Sequence, residues 1–283
     1  MKEYFLNIDN QLSNKSIQNA LKTRLKLSET IVKKVKYGCV FLNGKVVNNI
    51  NDEVSAGDQI KIVLPPDTPC EYIKPNDYPI KVVYEDNHVI ALLKPKGMIT
   101  HNMKNNSLPS LDGAVLNYFN EPITFRAINR LDRDTSGIVL IAKDMISACV
   151  FGELMKNGGI KKKYQALIVG EPKQNSFIIE APIERETPFG MKRTVSPTGK
   201  YAKTECLSIK KLNNGLSIAK ILLHTGRTHQ IRVHFAHAGY PLYADSLYGK
   251  AVEGETYTLH AGELQFVHPF TGEQIIINTE VEI

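Results

Sequence analysis

The feature that most constrains this chain is a charged loop running without a break into an apolar strand. Residues 129–144, NRLDRDTSGIVLIAKD, set Arg130, Asp132, Arg133 and Asp134 beside Thr135, Ser136 and Gly137, followed by an unbroken apolar run at 138–142. A run this short, bounded by turn formers, reads as a buried strand. A carboxylate at the root of a core strand is held rigidly, which a catalytic carboxylate requires. Asp, Thr, Ser and Gly are also ordinary turn residues, so composition alone leaves a plain strand entry open.

The 283 residues are many for one compact core, which predicts two domains. The break falls at 64–79, where prolines cluster and hydrophobic periodicity lapses, as in a semi-extended linker. Before it, helical periodicity covers 13–26 and 28–37, with Ser28 as N-cap and Gly38 as stop. A hairpin follows about Asn43-Gly44, then a turn at Gly57-Asp58 and the strand QIKIVL. Residues 1–63 hold ten Lys or Arg against six acids. Arg24, Lys26, Lys33, Lys34 and Lys36 cluster about the second helix, a patch suited to phosphates.

After the break, apolar runs at 80–84 and 89–93 form a hairpin, and 108–119 is an amphipathic helix. Residues 144–157 form another helix stopped by Gly158-Gly159, and Lys161-Lys162-Lys163-Tyr164 enters a strand. The turn-rich 170–205 carries Arg185, Lys192, Arg193, Lys200 and Lys203, which supply charge for a polyanion groove. Runs 206–212 and 217–223 pair around Asn213-Asn214-Gly215, and two strands close the chain about the turn 268–273. The class is therefore α+β: a mixed, largely antiparallel sheet with flanking helices, plus a small N-terminal α+β unit.

A formal charge of +6 and a pI near 8.9 fit a polyanionic partner. No apolar run approaches a membrane span and the N-terminus lacks a signal-peptide pattern, so the cytoplasm is expected. Cys39, Cys70, Cys149 and Cys206 show no Cys-x-x-Cys spacing and read as reduced structural thiols. His229, His234 and His237 are crowded, but their spacing matches no zinc pattern and no carboxylate lies between them, so no metal is expected.

Arg-Leu-Asp, two residues, Thr-Ser-Gly, an apolar run and Ala-Lys together resemble the signature of the RluA-type pseudouridine synthases. The resemblance implies that Asp132, rather than Asp134, is the catalytic residue. Asn129 departs from it, standing where the family usually has His. Lys-x-Tyr-x-Ala matches at Tyr164, implied to lie flat against the target base. Gly226 to His234, with Gly-x-Pro and an Asp downstream, matches a further block and implies that Arg232 pairs with the carboxylate. Arg130 is implied to fill the space an extruded nucleotide leaves, and Lys94-Pro95-x-Gly97 is a weaker match.

Residues LKLSETIVKKVKYGCVFLNGKVV and AGDQIKI resemble the alpha-L RNA-binding motif. The expected organisation is thus an RNA-binding domain at 1–63, a linker at 64–79 and a catalytic domain at 80–283. The implied reaction breaks a glycosidic carbon–nitrogen bond, turns the uracil and rejoins it through carbon, without net oxidation or hydrolysis. No cofactor is expected, in keeping with the lack of a Rossmann or P-loop glycine pattern. The expected partner is ribosomal or transfer RNA, with no membrane and a monomeric state. A non-catalytic RNA-binding or ribosome-assembly factor on the same scaffold is the rival reading, but such a binder need not keep Asp132, Tyr164 and Arg232.

Overall fold

The computed structural model describes residues 2–35, 39–68, 71, 73–102, 109–119 and 123–280, without the side chains of 34 and 35. The N-terminal elements are β1 (Glu3–Asn7), β2 (Lys15–Ser16), α1 (Ile17–Leu25), α2 (Glu29–Val35), β3 (Val40–Leu42), β4 (Lys45–Val46), β5 (Glu53–Val54) and β6 (Gln59–Val63). Then come β7 (Lys81–Glu85), β8 (Val89–Lys94), α3 (Leu111–Phe119), β9 (Ser136–Ala142), α4 (Met145–Lys156), β10 (Lys161–Val169) and β11 (Phe177–Glu180). The last are β12 (Ile183–Arg185), β13 (Arg193–Val195), β14 (Lys203–Lys211), β15 (Leu216–Leu223), α5 (Gln230–His237), β16 (Leu259–Val267) and β17 (Gln274–Asn278).

The first sheet runs β1-β6-β3-β4, antiparallel throughout, while β2 pairs with β5. Asn43 and Gly44 both take positive φ, 49° and 80°, the pair of angles that a two-residue type I′ hairpin demands. Helix α1 begins later than the periodicity from 13 suggests. Residues 15–16 are drawn into pairing with β5, and the Ser16 hydroxyl accepts the Asn19 N–H at 3.2 Å, capping the helix. The Ser28 hydroxyl accepts the Ile31 N–H at the start of α2. The expected stop at Gly38 lies outside the described residues.

The N-terminal core, including Ile17, Leu21, Val40, Ile60 and Ile62, also takes in Ile146 and Val150 of α4. The contact is locked by polar groups. Asp144 caps α4 by accepting the Ser147 N–H at 2.8 Å, and its other oxygen accepts from the Tyr4 hydroxyl at 2.8 Å and the Lys2 ammonium at 2.7 Å. Charge-assisted bonds of this kind hold β1 against the larger body.

A nine-stranded sheet forms that body, in the order β11-β14-β15-β10-β16-β9-β8-β7, with β17 also on β16. Its ladders are antiparallel except between β9 and β16. That parallel ladder holds only His260–Ser136 and Ala261–Gly137, after which β16 pairs with β17 from Glu263 onward. The sheet forks here, and the loop before β9 emerges at the fork. Strand β9 alternates as a buried strand should. Val139 and Ile141 enter one core with Tyr164, Ile221 and Phe235, while Ile138 and Leu140 enter another with Phe151 and Leu264. Gly137, with φ of 121°, is required at the seam, since a β-carbon there would stand 2.3 Å from the Ala261 carbonyl oxygen.

Candidate active site

The loop carrying Asp132 is pinned on both sides of that residue. The Thr100 hydroxyl donates to the Leu131 carbonyl at 2.8 Å. The Arg133 carbonyl accepts from the Gly97 N–H at 3.0 Å and from the Lys94 ammonium at 2.9 Å. Lys94 is fully buried and also donates to the Pro95 and Met98 carbonyls. Burial pulls its pKa down to about 8, against the opposing pull of Asp134 and Asp132. Asn129 clamps the loop onto β9: its amide donates to the Ile138 carbonyl and its oxygen accepts the Leu140 N–H. Asn129 is thus occupied by backbone, a role that accounts for an amide at this position.

The two carboxylates of the loop have different fates. Asp134 is held by Arg133, which donates from Nε at 3.0 Å and from Nη2 at 2.9 Å. Asp132, half-buried, faces a cleft of about 360 Å³ lined also by Arg130, Lys162, Tyr164, His229 and Arg232. Three of the residues singled out around Asp132 in the sequence therefore share one cavity with it, with Arg130 exposed at the rim. Tyr164 stands at a register shift between β10 and β16, the kind of irregularity that re-aims a side chain. Burial, and then the charge of Asp132, hold its phenol far above the usual range, so it stays protonated.

Arg232 differs in detail from the expected partnership. Its fork is taken by Asp245, with Nε donating at 2.7 Å and Nη2 at 2.8 Å, and only Nη1 faces Asp132, at 4.0 Å. The reason is burial: Asp245 has no exposure, so it requires a bidentate cation, while Asp132 is left accessible. The guanidinium also lies over the Tyr257 ring, 4.2 Å from its centre, and beside that of Tyr248. Burial opposes its charge, but Asp245, Tyr257 and Asp132 together raise its pKa.

His229 approaches the same Asp132 oxygen as Arg232, with Nε2 4.0 Å from it and Nδ1 2.8 Å from the Tyr248 hydroxyl. Its backbone is left-handed, φ 58°, at the cap of α5, yet its side chain makes no capping bond. Gln230 secures the turn instead, accepting from the Arg227 N–H and the Thr225 hydroxyl and donating to the Lys203 carbonyl. Burial pulls the His229 pKa below its ordinary value, so at neutral pH the imidazole is uncharged. His234 is buried and bonded to Thr204 and to the Ala181 carbonyl. No cluster of three metal-ligating side chains occurs among the described residues.

The roles of Asp245, Lys94, Lys162 and Tyr248 were not legible beforehand, although Lys162 carried a signal: two residues before Tyr164 on a strand, it must share that face. Among the described residues, Arg24, Lys26 and Lys33 do not line the cleft. Arg24 is paired with Asp9, Lys26 donates to the Thr23 carbonyl and Lys33 is exposed. The Lys34 side chain and Lys36 lie outside the described residues. No helix among the described residues is long and apolar enough to cross a membrane.

Chemically, the cleft offers a carboxylate able to act as nucleophile or base, flanked by cations and an aromatic face. Comparison with known proteins gives this chemistry its context. The profile of the RNA pseudouridylate synthase family matches residues 88–237. The chain is 31% identical to the uncharacterized RNA pseudouridine synthase YjbO of Bacillus subtilis, over 89% of this chain and 90% of that protein. It is 33% identical to ribosomal large subunit pseudouridine synthase D of Buchnera aphidicola, over 82% of this chain and 79% of the relative. Its fold is similar to that of human RNA pseudouridylate synthase domain containing 1, with a TM-score of 0.59 and 23% identity, over 72% of this chain and 84% of that one.

Proposed function

Since this chain belongs to the RNA pseudouridylate synthase family and isomerises uridine in RNA to pseudouridine, we propose that Asp132 is the group on which the reaction turns. The observation that carries the assignment is the contrast between the two loop carboxylates: Asp134 is tied to Arg133, while Asp132 lies 4.0 Å from both Arg232 Nη1 and His229 Nε2 in the cleft that holds Tyr164.

The target uridine leaves its stack, at a cost of a few kcal/mol, and presents its ribose to Asp132. The carboxylate acts there by attack or by proton abstraction, and the bond from the sugar to the base nitrogen breaks. The uracil turns and rejoins through its ring carbon. Tyr164 supplies a flat partner for the base, worth roughly 1–3 kcal/mol in stacking. The Arg232 cation, fixed by Asp245, faces that carboxylate at 4.0 Å and orients it by charge. Arg130, exposed at the rim, fills the place the base vacates.

For the substrate we propose large-subunit ribosomal RNA, supported by the relative named ribosomal large subunit pseudouridine synthase D, with transfer RNA as the other candidate. Residues 1–63 serve as an alpha-L-type RNA-binding domain joined through 64–79 to the catalytic 80–283. Lys33 and the neighbouring cations meet phosphates there, in a monomer working in the cytoplasm. The decisive experiment is Asp132→Asn, followed by tritium release from RNA labelled at uracil C5. Release should stop while RNA affinity stays nearly unchanged, and retained turnover would refute the assignment.

A further inference from the structure

Lys162 is the second residue of β10, a strand whose exposure alternates from Lys161 onward. Lys161 is exposed, Lys162 buried, Lys163 half-buried and Tyr164 buried. The two-residue repeat therefore puts Lys162 on the same inner face as Tyr164, and both line the cleft of Asp132. Lys162 is 8% exposed. Its Nζ reaches across to the loop before α5, 3.8 Å from where a β-carbon on Gly226 would stand.

Its neighbours on the strand are neutralised or solvated. Lys163 is paired with Glu263 at 2.6 Å, and Lys161 is exposed. The Lys162 ammonium, by contrast, has no hydrogen-bond or ion-pair partner among the described residues. Burial alone lowers its pKa, with no carboxylate near enough to offset the loss of water. The side chain is buried while its ammonium opens only to the cleft, and a cation so poorly solvated and without an anion is costly to keep. In the substrate RNA the available anion is phosphate.

Resting on the functional reading above, we propose that Lys162 is a phosphate-binding residue inside the active site, pairing with a backbone phosphate of the extruded nucleotide or its immediate neighbour. The phosphate completes an ion pair that the protein leaves half-made. Lys162 thereby helps to draw the target nucleotide, rather than the surrounding helix, into the cleft. Surface lysines contact whatever duplex is presented; this one is reached only by a strand that has entered. No bond is made or broken at Lys162 itself.

The test is Lys162→Met, which keeps length and removes charge, beside Lys162→Gln. The RNA is total RNA from cells lacking the gene, labelled at uracil C5, so the natural target is present whichever RNA holds it. Tritium release is followed at limiting and saturating RNA over a series of salt concentrations. The expectation is that kcat/KM falls roughly tenfold or more, that kcat at saturation holds, and that the salt slope shrinks by about 0.7, one phosphate's share on a single strand. Melting temperature should stay level or rise, because an uncompensated charge has gone. An unchanged salt slope, a kcat that falls as far as kcat/KM, or a lowered melting temperature would each overturn the proposal. None of these readings depends on Asp132→Asn, whose outcome judges the catalytic assignment separately.

Discussion

The ion pair behind the site is the place where a single atom's change should be felt most. Asp245 has no exposure and Arg232 has 8%, and two charge-assisted bonds of 2.7 and 2.8 Å join them. Asp245→Asn keeps the shape, and one carbonyl oxygen remains to accept from Leu247 and Tyr248, whose N–H groups lie 3.0 and 3.2 Å from the native carboxylate. What is lost is the countercharge, which strands a guanidinium away from water. Breaking a buried pair in this way costs about 3–5 kcal/mol, a fall of roughly 10 °C in melting temperature for a chain of this size.

The stranded cation then turns toward Asp132, 4.0 Å away. A direct ion pair would occupy the carboxylate, so turnover should collapse together with stability. Circular-dichroism melting and tritium release measure the two effects. The double change Arg232→Met with Asp245→Leu removes both charges, so it should regain most of the stability but none of the activity. An Asp245→Asn protein that melts within about 2 °C of wild type and turns over normally would refute the reasoning.

Further outcomes follow from the same geometry. Lys94 titrates at about 8 in the fold against 10.5 for an ordinary lysine. Between those values the unfolded chain holds more protons, so stability from this group rises as pH climbs from about 8 toward 10.5. Relative to Lys94→Met, wild type should gain up to about 3 kcal/mol across that window, read from urea unfolding at several pH values; a flat difference would show that the buried ammonium does not behave this way. His229→Gly should change unfolding stability by no more than about 1 kcal/mol, because release of the left-handed backbone at φ 58° is offset by loss of the bond from Nδ1 to the Tyr248 hydroxyl. Its turnover should drop at least about tenfold if the imidazole beside Asp132 contributes hydrogen bonding to the reacting base, and full activity would exclude that contribution.

Much of the sheet was legible because its signals are local. Asn43-Gly44 and Asn214-Gly215 both take the positive φ that their residue types tolerate, so the hairpins could be read from the turns alone. Residues 138–142 are buried to the degree that an unbroken apolar run demands. Helix starts were less legible. The periodicity from 13 was overruled at 15–16 by pairing with β5, and the helix sought over 108–119 begins at Leu111.

The amino-acid order by itself determined most strands and turns of the larger unit, the class of the fold, and which motif carries Asp132, because each of those rests on residues within a few positions of one another, whereas β1, β2 and β5 form only through pairing with distant segments. Tertiary structure alone decided that Asp245 and not Asp132 takes the fork of Arg232, that Lys94 braces a carbonyl 39 residues away, and that β9 meets β16 in parallel at Gly137. Those choices are made by the cost of burying charge and backbone in water's absence. That cost depends on which distant groups the fold brings together, and no spacing along the chain records it.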